Sequence, residues 1–263
     1  MPKNILRFSV VIALFIATIS SLQAGGVPAY FNASYTDAKT LKGKLSEAGF
    51  QVLATYAPAK RGHLKVIIVT NSSLKGAAGK KNRGFAAVEK VLVDSKAKTV
   101  LVTNPSYWLK AFLQKNYSAG TAKSVTASFE KALGKLTPGK DTVSSGDLSH
   151  YHFMMAMPYY EDMIELKEGT KSVKNKIFQI NLANGSSLVG ISMPKSVENF
   201  IGKIGEDKAL VLPYTILLQG GKAYILHPKY YLAISYPKLT MGQFMKISNV
   251  PDEIEAAAKK SVK

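Results

Sequence analysis

The chain has 263 residues, no cysteine, and 35 lysines and arginines against 17 acids, a net charge of +18. Lack of cysteine excludes disulfides, thiolate catalysis, covalent c-type haem and iron–sulfur clusters, while the length suits two domains of ordinary size. The positive balance favours anionic partners, although the basic residues are dispersed and their densest cluster is Lys80-Lys81-Asn82-Arg83, so a solvated basic surface explains them as well as a dedicated anion site does.

Lys3 and Arg7 precede the apolar run Val10 to Ala17, and Ser20-Ser21-Leu22-Gln23-Ala24 ends in a small residue before Gly25-Gly26. This is the build of a secretory signal peptide over residues 1–24, with cleavage expected near Ala24. The run is short of the roughly 20 apolar residues that span a bilayer. With no cysteine at the cleavage point, the lipoprotein route is excluded. The expectation is therefore a periplasmic or secreted protein whose anionic partners are envelope components such as lipid headgroups or acidic polymers. Nucleic acid is not expected. No second long apolar run occurs, so the chain is not read as an integral membrane protein.

Asp37 to Gly49 carries Leu41, Leu45 and Ala48 at helical spacing, and Gly49 supplies a stop. Phe50 to Tyr56 and His63 to Thr70 read as a hairpin around Pro58. Ser72 or Ser73 can cap a helix to about Lys81, and strands follow at Phe85 to Val93 and Thr99 to Thr103 around Asp94-Ser95-Lys96. Residues 104–135 add helix, with Pro105 in a first turn. Thr137 to Ser149, rich in Gly, Ser, Asp and Pro-Gly, reads as a linker. Beyond it a helix is expected at Tyr160 to Lys167, then a hairpin of Lys176 to Leu182 and Ser187 to Met193 around Asn184-Gly185, a strong type I′ signal. A helix at Ser196 to Ile204 and strands at Leu210 to Leu218 and Lys222 to Leu226, around Gln219-Gly220-Gly221, complete the second unit.

The two halves echo one another. Leu64-Lys65-Val66-Ile67-Ile68-Val69 returns as Leu188-Val189-Gly190-Ile191-Ser192-Met193, and Val100 to Trp108 is answered by Tyr224 to Tyr231, with Pro105 and Pro228 123 positions apart. The fold class is accordingly read as α+β: two tandem repeats of a helix-strand-strand-helix-strand-strand domain with mainly antiparallel sheets, at 25–136 and 150–263, joined by the linker 137–149.

Gly49-Phe50 after a helix, the apolar hairpin, Arg83-Gly84-Phe85-Ala86-Ala87-Val88-Glu89-Lys90-Val91-Leu92-Val93 and the Thr103-Asn104-Pro105-Ser106-Tyr107 ending resemble the family catalogued as domain of unknown function 302. The resemblance covers roughly the first half of the mature chain and reaches the second half only through the internal repeat. It implies a compact α+β domain that sometimes occurs in tandem, and no activity or catalytic residues. The second half departs from the pattern, with Val211-Leu212-Pro213-Tyr214 where the first has Ala86-Ala87-Val88.

Chemistry-bearing residues gather in the second unit. If Ser149 to Pro158 is extended, alternation places His150, His152 and Met154 on one face, and imidazole with thioether suits copper(I). Against a metal site, the Tyr-Phe-Met-Met face reads as core and a histidine pair at the end of a linker is more often simply exposed, which is the reading preferred. Glu161 and Asp162 are neighbours on the expected helix and diverge around it, so they make no acid–base pair. His227 precedes Pro228-Lys229-Tyr230-Tyr231 where the first unit has Asn104-Pro105-Ser106-Tyr107-Trp108. His227, Tyr230, Tyr231, Tyr107 and Trp108 are therefore candidate ligand-binding residues at a domain edge, against the alternative that the rings pack on their own sheets. A b-type haem held by a histidine and a methionine is compatible with the composition. No Gly-x-Ser-x-Gly occurs, three Ser-x-x-Lys matches lack companions, and no glycine-rich phosphate loop is present. The reading favoured is a non-catalytic binding protein for a metal or small molecule, held at the domain interface or in the second repeat. An envelope-associated interaction protein using its basic surface and a His-dependent enzyme are the alternatives.

Overall fold

A computed structural model describes residues 26–170 and 172–263; the expected signal segment lies outside them. The first half contains β1 (Val27–Pro28), β2 (Tyr30–Ala33), α1 (Ala38–Glu47), β3 (Gln51–Tyr56), β4 (Leu64–Thr70), α2 (Ser72–Ala78), β5 (Glu89–Asp94), β6 (Thr99–Thr103), α3 (Pro105–Leu113), α4 (Ala119–Leu133), β7 (Thr137–Pro138) and β8 (Thr142–Val143). The second contains β9 (Ile164–Glu168), β10 (Lys176–Asn181), β11 (Ser187–Ile191), α5 (Lys195–Glu198), α6 (Ile201–Ile204), β12 (Tyr214–Gln219), β13 (Lys222–Ile225), α7 (Pro228–Ser235), α8 (Met241–Met245) and α9 (Val250–Ser261). The α+β class and the antiparallel sheets expected from the sequence are present. Among the described residues, no helix is long and apolar enough to cross a membrane.

One sheet runs β3-β4-β5-β6-β2-β7 and the other β10-β11-β12-β13-β9. Both place four consecutive strands in order and then an earlier one, β2 beside β6 and β9 beside β13, although in the first sheet β7 lies beyond β2; β1 and β8 form a third, two-stranded sheet. Local chemistry fixes the elements. Asp37 accepts hydrogen bonds from Lys39 N and Thr40 N to start α1, and Gly49 leaves that helix at φ +93°, a conformation open to glycine. Asn104 Oδ1 accepts from Ser106 N at the head of α3. His227 Nδ1 accepts from Lys229 N at the head of α7, so the two residues fill the same capping position.

Several boundaries differ from the sequence reading. The helix expected at Tyr160 to Lys167 is absent; Ile164–Glu168 is β9, paired antiparallel with β13. Its half-buried Ile164 and Leu166 alternate with exposed Glu165 and Lys167, a period of two that the open edge of β13 captures. The second half therefore lacks a counterpart of α1 between its first two strands. The strand expected from Phe85 begins only at Glu89, after a 3₁₀ turn at Gly84–Ala87. The strand expected from Leu210 likewise begins at Tyr214, after a 3₁₀ turn at Glu206–Val211. The helix expected at Ser196 to Ile204 is the pair α5 and α6. The expected linker is knitted into the first half, with Thr137 and Pro138 extending the sheet at β2 and Thr142 and Val143 pairing with β1.

The halves share a buried seam. All six residues of β5 are buried, an arrangement that requires both faces of the strand to be covered. Tyr56 OH and Ala59 N donate to Glu198, which also accepts from Met193 N. Asn82 and Gln219 exchange two hydrogen bonds, and Tyr160 OH donates to Asn82 O. Gly84 permits a close approach: a Cβ there would stand 2.3 Å from Leu217 Cδ1.

Candidate functional site

Tyr107 and Trp108 on α3 and Tyr230 and Tyr231 on α7 are all buried. They do not form a ligand edge. Trp108 and Tyr231 pack edge to face with ring centres 6.0 Å apart, and Tyr230 packs likewise on Tyr160. Trp108 Nε1 donates to Ala29 O at 2.8 Å and Tyr107 OH to Ile234 O at 2.6 Å. Rings that carry polar tips usually find partners for them when buried; main-chain carbonyls supply them for Tyr107 and Trp108, and Lys90 for Tyr231. Because α3 and α7 both contribute, the expected ligand-binding aromatics become the shared core of the two halves.

Beneath those rings lies an arrangement that the sequence did not signal. Lys90, on β5, is buried, and its Nζ donates to Val211 O and Pro213 O, each at 3.0 Å, and to Tyr231 OH at 3.3 Å. Its neighbour Glu89 is also buried, with neither carboxylate oxygen hydrogen-bonded. The Thr103 hydroxyl, which would help, spends its proton on Lys90 O. Burial pushes the Glu89 carboxyl up to about 8, against weaker opposing pulls from Thr103 and Lys90. Burial also pulls the Lys90 amine down to about 7, against the nearby Glu89 charge. A cavity of about 20 Å³ touches both residues, room for about one water. An amine with a lowered pKa is a competent nucleophile, yet this space admits no substrate, and the pair serves the seam.

The residues expected to bind metal are placed differently from the sequence reading. Leu148–His150 is a 3₁₀ turn and 151–163 is irregular, so His150, His152 and Met154 share no strand face. The tight turn points His150 and Met154 to solvent, and neither lines a cavity with His152. His152 instead meets His227, 75 positions along the chain, across an open cavity of about 470 Å³. Met155, Met157, Tyr159, Asp162 and Lys229 are among its other walls. The His152 ring lies 4.4 Å from the Tyr159 ring, with Nε2 3.5 Å from the hydroxyl. His227 is half-buried. Burial first, then the Lys229 charge, hold its pKa below the ordinary histidine value; because Nδ1 accepts from Lys229 N, the neutral ring carries its proton on Nε2, which acts as a donor until a metal displaces that proton. Asp162 accepts from Tyr159 N at 2.9 Å, which fastens the loop end. Asp162 lies in that irregular turn rather than on a helix.

Met157 also walls a second, apolar chamber of about 40 Å³, together with Leu232, Tyr236, Leu239, Met241 and Phe244. Of the exposed large apolar side chains of the described residues, Phe153 and Met241 line the smaller chamber and Met155 and Tyr159 the larger, while Met154 and Met245 line neither. Phe153 of the loop and Met241 of α8 wall the smaller chamber together, an exposed apolar surface of the character that marks binding sites, and methionine adapts readily to a ligand's shape. What the sequence could have shown of this is the density of methionine at 154–157 and 241–245; the meeting of His152 with His227 depends on the fold.

Fold and cavities together define an α+β protein with two large antiparallel sheets and a small two-stranded one, and with an imidazole- and thioether-lined cavity in its second half. Comparison with family models, curated proteins and solved structures produced no match.

Proposed function

We propose that the chain is an exported, non-catalytic binding protein whose ligand occupies the cavity between His152 and His227. The observation that carries this reading is that those two residues line one open cavity with Met155, Met157 and Tyr159, of which Met155 and Tyr159 are exposed. A pocket lined largely by apolar groups with a few convergent polar ones is the common form of a small-ligand site. Copper(I) and a b-type haem would both draw on imidazole and thioether, which this cavity supplies, and a small molecule with an apolar part would use the adjoining chamber. His227 and Asp162 each hydrogen-bond to nearby main chain rather than to one another, which favours binding over acid–base catalysis. The common strand order of the two sheets supports the reading of a duplicated domain, and the resemblance to the domain of unknown function 302 family belongs to the same proposal. Export rests on the charge and apolar pattern of residues 1–24.

Native mass spectrometry of the protein purified from its own envelope is the test. A bound ion or small molecule, lost from a His152→Ala/His227→Ala variant, is the expected result; a bare polypeptide together with no ligand-induced thermal shift would remove the reading. A second reading, attachment to an anionic envelope surface, is favoured by Lys238 and Lys246 flanking the exposed Met241 and Met245. It requires binding that weakens as salt shortens the Debye length below about 8 Å.

A further inference from the structure

We propose that His63, Asp94 and Glu206 form a divalent-cation site of the zinc class that fastens the two halves together at their seam. The three come from separate parts of the chain, yet one ligand atom from each lies within 4.8 Å of the others. Among the described residues this is the trio of His, Asp and Glu that meets so closely. Ligands about 2.0–2.2 Å from a tetrahedral ion lie roughly 3.3–3.6 Å apart, so small side-chain movements close the geometry.

Each ligand is held from behind. His63 O accepts from Ser95 N at 3.0 Å and from Ser95 Oγ at 3.2 Å, and Leu64 pairs with Asp94 across β4 and β5, so the first half brings His63 and Asp94 together. Asp94 Oδ1 accepts from Lys96 N and Ala97 N, which leaves Oδ2 for an ion. Arg61, itself bonded to Asn199, takes Glu206 Oε1. Glu206 Oε2 faces His63 Nε2 at 2.8 Å. Outer bonds of this kind orient ligands for a metal.

Charge and access fit as well. With the imidazole deprotonated, as a zinc ligand must be, two carboxylates and one guanidinium leave a single negative charge, which a divalent ion reverses. The side chains of His63 and Glu206 are 28% and 26% exposed, so an ion reaches them from solvent, while Asp94 is buried behind. One nitrogen and two carboxylate oxygens with a fourth position open to water is a zinc-type donor set. It is harder than the imidazole and thioether of the His152 cavity and shares no residue with it.

Isothermal titration of the chelator-stripped protein with zinc chloride, followed by thermal unfolding with and without the ion, tests the proposal. One equivalent of zinc should bind at this site and raise Tm, and that equivalent should be lost in both His63→Ala and Glu206→Gln and kept in His152→Ala/His227→Ala. His63→Gln, which can still hydrogen-bond to Glu206, guards against a folding defect: its circular dichroism should match the parent's while zinc binding is lost. Absence of zinc binding, its persistence in a folded His63 variant, or its loss only with the His152/His227 pair would overturn the site. The last of these would leave the binding function proposed above standing.

Discussion

Lys90 Nζ lies 3.0 Å from the main-chain oxygen of Pro213, and so joins a strand of the first half to the turn that enters β12 in the second. The same nitrogen reaches Val211 O and Tyr231 OH. One buried amine therefore satisfies three acceptors that the seam would otherwise leave dry. Removal of one member of a buried polar set costs about 3–5 kcal/mol, because the rest stay buried without partners. Lys90→Met is expected to lower the stability measured by urea unfolding by about that amount. Adding Glu89→Gln should cost less than the sum of the two single changes, as contacting residues couple.

Stability near neutral pH should also depend on Glu89. Its folded value, about 8, stands above its ordinary carboxyl value, so its contribution is complete below that ordinary value and is lost as pH rises through about 8. Lys90 has the opposite sign: its folded value is about 7, so its contribution is present at high pH and is lost as pH falls through about 7. Above pH 7 the amine is increasingly neutral, and an ionised Glu89 then has no buried cation beside it. The Tm of the parent relative to Glu89→Gln is therefore expected to fall as pH rises from about 4.5 to about 8, and to level off above that. A constant difference over that window would contradict the assignment.

Gly84 faces the fully buried Leu217 across the seam. Gly84→Ala places a methyl where Leu217 has no room to retreat, and overpacking of this kind costs about 1–3 kcal/mol. Chemical denaturation should show that loss, and Leu217→Ala in the same chain should recover part of it.

Trp108 is the single tryptophan, and it lies buried among Tyr30, Tyr107, Phe112 and Tyr231. Its emission therefore reports the docking of the halves. Blue-shifted fluorescence is expected in the native protein, and it should move to the red in one transition that coincides with the loss of far-ultraviolet circular dichroism. A red shift that precedes the loss of secondary structure would show that the halves part before they unfold.

How much of this was legible in the sequence differs by element. The helix at Ala38–Glu47 and the turn at Asn184-Gly185 follow from caps, spacing and turn residues that lie within a few positions of one another, and local signals of that kind survive folding. Ile164–Glu168 mixes helix-forming Glu, Leu and Lys with a strand's alternation, and the vacant edge of β13 decides between them. Tyr107, Trp108, Tyr230 and Tyr231 announce themselves as apolar, but whether rings meet a ligand or each other is settled when two helices dock. Glu89 and Lys90 read as an ordinary charged pair. The apolar residues on both sides of them, Val88 and Val91-Leu92-Val93, were the available sign that the strand is covered on both faces. His152 was singled out for its near neighbours in sequence, whereas folding sets it against Tyr159 and on the wall of one cavity with the distant His227.

A ligand screen by thermal shift, run in parallel on the parent and on His152→Ala/His227→Ala, bears most directly on the proposed binding function. With copper(I), haem and a panel of small amphiphiles, the account expects at least one to raise the parent's Tm in a concentration-dependent manner and to leave the double variant unmoved. Equal shifts in the two proteins, or none in either, would contradict it.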